Sequence, residues 1–103
     1  MKKFLTTLSF LIIFTNTVNA YTIKGYGANS CGKFLAETDF KGNYFPQGQW
    51  IVGYITGLNR QNSLDKGYDF DSTSILYAVK NRCEEKPLED VEQATNWVYW
   101  NEL

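Results

Sequence analysis

The stretch Trp50-Ile51-Val52-Gly53-Tyr54-Ile55-Thr56-Gly57-Leu58-Asn59 decides the fold. It is the longest apolar run outside the N-terminus, and its apolar residues at 50, 51, 54, 55 and 58 share one face of a helix. Gly53 and Gly57 lie four apart and leave a shallow groove along the same helix. Each glycine costs about 1 kcal/mol relative to alanine inside a helix. The pair therefore predicts that another backbone or a bulky ring comes close. We read the groove as a core seam, with a second copy of the chain as the other candidate neighbour. Trp50, Gly53, Tyr54 and Gly57 are the expected packing positions.

Working outward, Cys31 and Cys83 stand on either side of this helix and are the only cysteines. Cys31, Phe34 and Leu35 follow helical spacing and predict a short helix over about 29–37. Pro46 suits a first helical turn, so the central helix is expected from 46 or 47 to about 61. Residues 71–74, Asp-Ser-Thr-Ser, offer N-caps for a third helix whose stripe is Ile75, Leu76, Val79 and Cys83. Pro87 ends that helix and is expected to start a fourth, with Leu88, Val91, Thr95 and Val98 on one face. Residues 21–30, with Gly25 and Gly27, read as a loose or extended arm, and 62–70 as a polar surface connection. No strand alternation stands out. The expected fold is all-α, a small bundle of about four helices stapled by one disulfide, Cys31–Cys83.

The compartment follows from the N-terminus. Lys2-Lys3, an apolar run from Phe4 to Phe14 and the small-x-small site Val18-Asn19-Ala20 form a secretory signal, expected to be cleaved after Ala20. The run is short for a membrane span of about 20 residues. Residues 21–103 then make one domain. In an oxidising compartment two cysteines with a single intramolecular pairing predict a bridge. Removing Lys2 and Lys3 leaves eight basic against eleven acidic residues, a balance of about −3 that argues against a nucleic-acid partner.

Chemistry is hard to find in the chain. There is no histidine, so no imidazole base or His-containing metal site exists, and no Ser-x-x-Lys or Gly-x-Ser-x-Gly pattern supplies a nucleophile. Asn62, Asp65, Asp69 and Asp71 lack the glycine and terminal Glu of an EF-hand loop. The expectation is a non-enzyme with no catalytic residue, cofactor or metal. Two features remain. Glu84, Glu85, Glu89, Asp90 and Glu92 form either a solvated helix junction or an acid sensor, because carboxylates are the side chains that change charge below pH ~5. The 14 aromatic residues after Ala20 are many for so small a core. Tyr44 and Phe45 in a loop and Trp97, Tyr99 and Trp100 near the end are therefore candidates for a protein-binding surface. The alternative is that they cover the core.

Three motifs carry a family resemblance: Ser30-Cys31-Gly32-Lys33-Phe34-Leu35, the Trp50…Asn59 helix, and Cys83-Glu84-Glu85-Lys86-Pro87-Leu88. In that order the chain resembles the small, disulfide-linked helical periplasmic proteins grouped around the acid-stress chaperone HdeA. The resemblance implies a helical periplasmic domain, dimeric at neutral pH, that exposes apolar surface on carboxylate protonation and holds unfolded clients without ATP. The chain departs from those chaperones in its many aromatics and its paired helix glycines. A periplasmic immunity protein that neutralises a secreted effector is the alternative function, with the same size, signal and helical build.

Overall fold

The central stretch lies within an 18-residue helix whose buried side carries Ile51 and Ile55, with Leu58 half-buried beyond them. The computed structural model describes residues 21–103. The segment read as a signal, 1–20, lies outside the described residues. Four helices follow in order: α1 (Cys31–Glu37), α2 (Phe45–Asn62), α3 (Ser72–Glu85) and α4 (Val91–Asn101). No strand forms among the described residues, and the chain is a small all-α bundle as its periodicities predict.

Side-chain caps start three of the helices. Ser30 accepts from the Lys33 amide, Asp71 from Ser74, and Asp90 from Gln93. Asp90 and Gln93 complete a capping box, because the Asp90 amide donates back to the Gln93 side chain at 3.0 Å. The bridge Cys31–Cys83 ties α1 to α3 with its Cα atoms 4.9 Å apart, and both cysteines are fully buried. It lies in one buried core with Phe34, Leu76, Val79, Val91 and Val98.

Three expectations are corrected by the structure, two of them through tertiary contacts. The fourth helix begins at Val91, not at Pro87 or Leu88, because the backbone before it serves α1. The Cys31 amide donates to the Glu89 carbonyl at 2.7 Å, Gly32 to Pro87 at 3.2 Å, and Val91 to the Asn29 carbonyl at 2.9 Å. Leu88 sits on this turn and is 98% exposed rather than on a core face. The arm at 21–30 is not loose either. Gly25–Ala28 form a 3-10 turn against the Trp50 indole, whose Nε1 donates to the Lys24 carbonyl at 2.7 Å. A β-carbon on Gly27 would lie 2.0 Å from the Trp50 ring, so glycine permits this approach.

The third correction concerns Gly53 and Gly57. Both are exposed, and a β-carbon at either would meet nothing within 4 Å. The reason is angular: each lies two residues, about 200°, beyond a buried isoleucine. They form no core seam. Gly53→Ala and Gly57→Ala are each expected to raise unfolding stability by about 0.5–1 kcal/mol, since only helix propensity changes. Denaturant titration checks this, and a loss of stability in either variant would show a neighbour in that groove.

Candidate functional site

The 63–70 loop packs beside the first turn of α3 and the C-terminal end of α4, and the predicted candidate residues are spread over several faces around it. The organiser of the loop is Asn59, at the end of the central stretch. Its Oδ1 accepts from the Lys66 amide at 2.9 Å and from the Tyr99 hydroxyl at 2.7 Å, while its Nδ2 donates to the Lys66 carbonyl at 3.1 Å. One amide thus joins α2, the loop and α4. Ser63 ends α2 in the left-handed region (φ 55°), and the Leu64 amide returns to the Asn59 carbonyl at 3.0 Å, a Schellman-type stop. Gly67 (φ 81°) lets the loop pass against Leu103 and Ile75. The loop is pinned, and it presents Leu64, Tyr68 and Phe70 to solvent.

A groove of about 460 Å³ runs beside them, lined by residues 64–70 together with Glu102 and Leu103. By its sequence this loop reads as a polar surface connection. Three apolar side chains in seven residues, Leu64, Tyr68 and Phe70, were the signal in it.

The predicted aromatic surface divides. Tyr99 is fully buried and belongs to the core, because α4 packs against α1, α2 and α3 at once and buries a wide arc. Trp97 is half-buried under the Arg82 guanidinium, 4.3 Å from its ring centroid. Trp100 is exposed, meets Tyr99 edge-on, and has the Lys66 ammonium 5.7 Å from its centroid. Tyr44 is half-buried, and its hydroxyl shares a 2.6 Å hydrogen bond with Thr73 Oγ1, bracing the loop before α2 against α3. Phe45 opens α2, and its side chain lies outside the described part of the structure. Trp50 and Tyr54 stack, centroids 5.1 Å apart.

The five carboxylates also take separate places. Glu84 pairs with Lys80 on the surface of α3, and Glu85 is exposed. Glu89 receives two bonds from Arg82, at 3.1 and 2.8 Å, closing the α3–α4 turn. Asp90 caps α4. Glu92 is buried and accepts from the Tyr54 hydroxyl, joining α4 to α2. Four of the five do structural work, and three of those hold α4. Among the described residues no group of three His, Cys, Asp or Glu side chains is placed to hold a metal, and no helix is long and apolar enough to cross a membrane.

Burial raises the Tyr54 pKa above its ordinary 10.0, helped by the hydrogen bond to Glu92 and by its charge. A folded value above the unfolded one means stability that is full below pH ~10 and is lost as pH rises through the folded value. Wild-type stability is therefore expected to fall above pH ~10, and Tyr54→Phe to lessen that slope. Denaturant midpoints at successive alkaline pH values check it. Asp71 shifts the other way. The Ser74 amide stabilises its carboxylate, lowering its pKa from 3.8, so its contribution stands above the ordinary carboxylate range and is lost in acid as pH falls through the folded value.

Comparison with protein-family models, with curated proteins and with solved structures finds no match to this chain.

Proposed function

We propose that this is a small protein-binding domain of the periplasm that opens in acid and holds unfolded polypeptides without ATP. The observation that carries this reading is the Arg82–Glu89 pair. The Arg82 side chain is 12% exposed, and its carboxylate partner closes the turn that leads into α4. Protonating Glu89 leaves a largely buried guanidinium without its counter-charge. Removing one partner of a buried pair is strongly destabilising, and the partial exposure of this one reduces the expected cost to about 1–2 kcal/mol. Protonation also removes the charges of the Asp71 and Asp90 caps and of Glu92 beside Tyr54. Meanwhile eight basic side chains remain, and the mature charge swings from about −3 to about +8. Released from these contacts, α4 would uncover Val91, Val98 and Tyr99, which are fully or almost fully buried in the closed form. The disulfide would keep α1 and α3 together meanwhile.

The test is acid titration from pH 7 to 2, following near-UV circular dichroism and the fluorescence of an apolar dye. The tryptophan signal is expected to collapse and dye binding to rise in one transition, shifted to higher pH in Glu89→Gln. A protein that keeps its near-UV spectrum and binds no dye at pH 2 does not work this way.

A second reading, a dedicated inhibitor of the immunity type, is favoured by the apolar side chains exposed in the closed form, above all Tyr68 and Trp100. It requires one tight, stoichiometric partner near pH 7, and recovery of a single protein on the immobilised domain at neutral pH tests it.

A further inference from the structure

The groove beside the 63–70 loop is a feature of the closed form and does not depend on any opening in acid. Apolar side chains make up part of its lining, Leu64, Tyr68, Phe70 and Leu103, with Leu64 43% and Phe70 44% exposed. A second hollow of about 190 Å³ continues it past Ile75 and Ala78, sharing Phe70 and Leu103. Its rim is acidic. Asp65, Asp69 and Glu102 line it, and none of them joins an ion pair among the described residues. The one cation in the lining, Lys66, has its ammonium 5.7 Å from the centroids of both Tyr99 and Trp100.

We propose that this groove docks a segment of a partner protein in which an apolar side chain is flanked by lysine or arginine. The charge argues for that occupant. Three carboxylates beside these apolar side chains, against the single cation Lys66, attract cationic flanks and repel acidic ones. A second copy of this chain is disfavoured, because a two-fold contact through the groove would set the same carboxylate rim against itself. Preorganisation argues for a docking role too. The Asn59 amide, the left-handed stop at Ser63 and the positive φ of Gly67 fix the loop before any partner arrives, so little ordering entropy remains to be lost on binding.

The test uses protein expressed from the full chain at neutral pH and two synthetic peptides, one alternating lysine with leucine and phenylalanine, the other with glutamate replacing every lysine. Amide chemical shifts are followed during each titration. The lysine peptide is expected to shift residues 64–70 and 102–103 saturably, and the glutamate peptide to leave them unchanged. Phe70→Ala is expected to weaken binding roughly tenfold, as loss of a central anchor does. Asp65→Asn with Asp69→Asn is expected to weaken it and to flatten its dependence on salt. Spectra unchanged outside the loop show that each variant is folded, and the surface Asp→Asn pair serves if Phe70→Ala is not. Equal binding of both peptides, shifts centred elsewhere (at Leu88, for example), or affinities indifferent to these substitutions would overturn the proposal. Lysine-peptide shifts scattered over every acidic surface would do the same.

Discussion

Removing the bridge, by Cys31→Ala with Cys83→Ala, is expected to lower unfolding stability by about 4 kcal/mol. The cysteines are 52 residues apart, and in the chain-entropy account a loop of that length restricts the unfolded chain by about this amount. Domains of this size are only marginally stable. At roughly 4–8 °C per kcal/mol, the midpoint should fall by about 15–30 °C. α1 should suffer first. It has seven residues, too few to persist alone, and without the bridge it keeps Phe34 and its backbone bonds to the 87–90 turn. Alanine is the better replacement, because serine would bury hydroxyls at two fully enclosed positions. Thermal unfolding of wild type with and without reductant measures the same quantity. An unchanged midpoint in protein whose two thiols are shown to be reduced would mean that the bridge constrains nothing.

The second large effect is expected at Asn59. Asn59→Ala deletes three hydrogen bonds and leaves the hydroxyl of the buried Tyr99 without its partner. The expected cost is about 2–3 kcal/mol, most of it the desolvation of groups left unpaired. Asn59→Asp separates the contributions. It keeps an acceptor for the Lys66 amide and the Tyr99 hydroxyl, loses the donor to the Lys66 carbonyl, and should cost about half as much. Hydrogen exchange gives the spatial readout. Amides of 64–70 should exchange faster in Asn59→Ala while those of α1 are unaffected. Unchanged protection in the loop would show that it is held by packing alone.

Much of the bundle is legible in local signals. The Pro46 start of α2, the Asp71 cap of α3 and the stripe ending at Cys83 act within one helical turn of themselves, and the structure follows them. Two cysteines leave a single pairing to consider. The misreadings occur where a distant segment uses the local groups. Pro87 could have opened a helix, but the 87–90 backbone is committed to α1, so α4 waits for Asp90. Gly25 and Gly27 look like a flexible arm until Trp50 is laid over them. Asn59 is an ordinary polar residue near a helix end until Lys66 and Tyr99 converge on it. The orientation of Gly53 and Gly57 was readable, since a residue two places past a core position cannot share its face. The candidate site was less legible than the fold. The acidic cluster is one run in sequence but several separate joints in space, and the exposed groove lies in a loop whose apolar residues have no period.

These joints bear on the central claim, that acid frees α4 to hold unfolded chains. The direct measurement is aggregation of an acid-denatured periplasmic protein mixture at about pH 2–3, within the range where carboxylates protonate, with and without the purified domain. The account predicts that aggregation is suppressed at stoichiometric ratios in acid, and that the domain does nothing for clients near pH 7. Aggregation unchanged at stoichiometric excess in acid would contradict it.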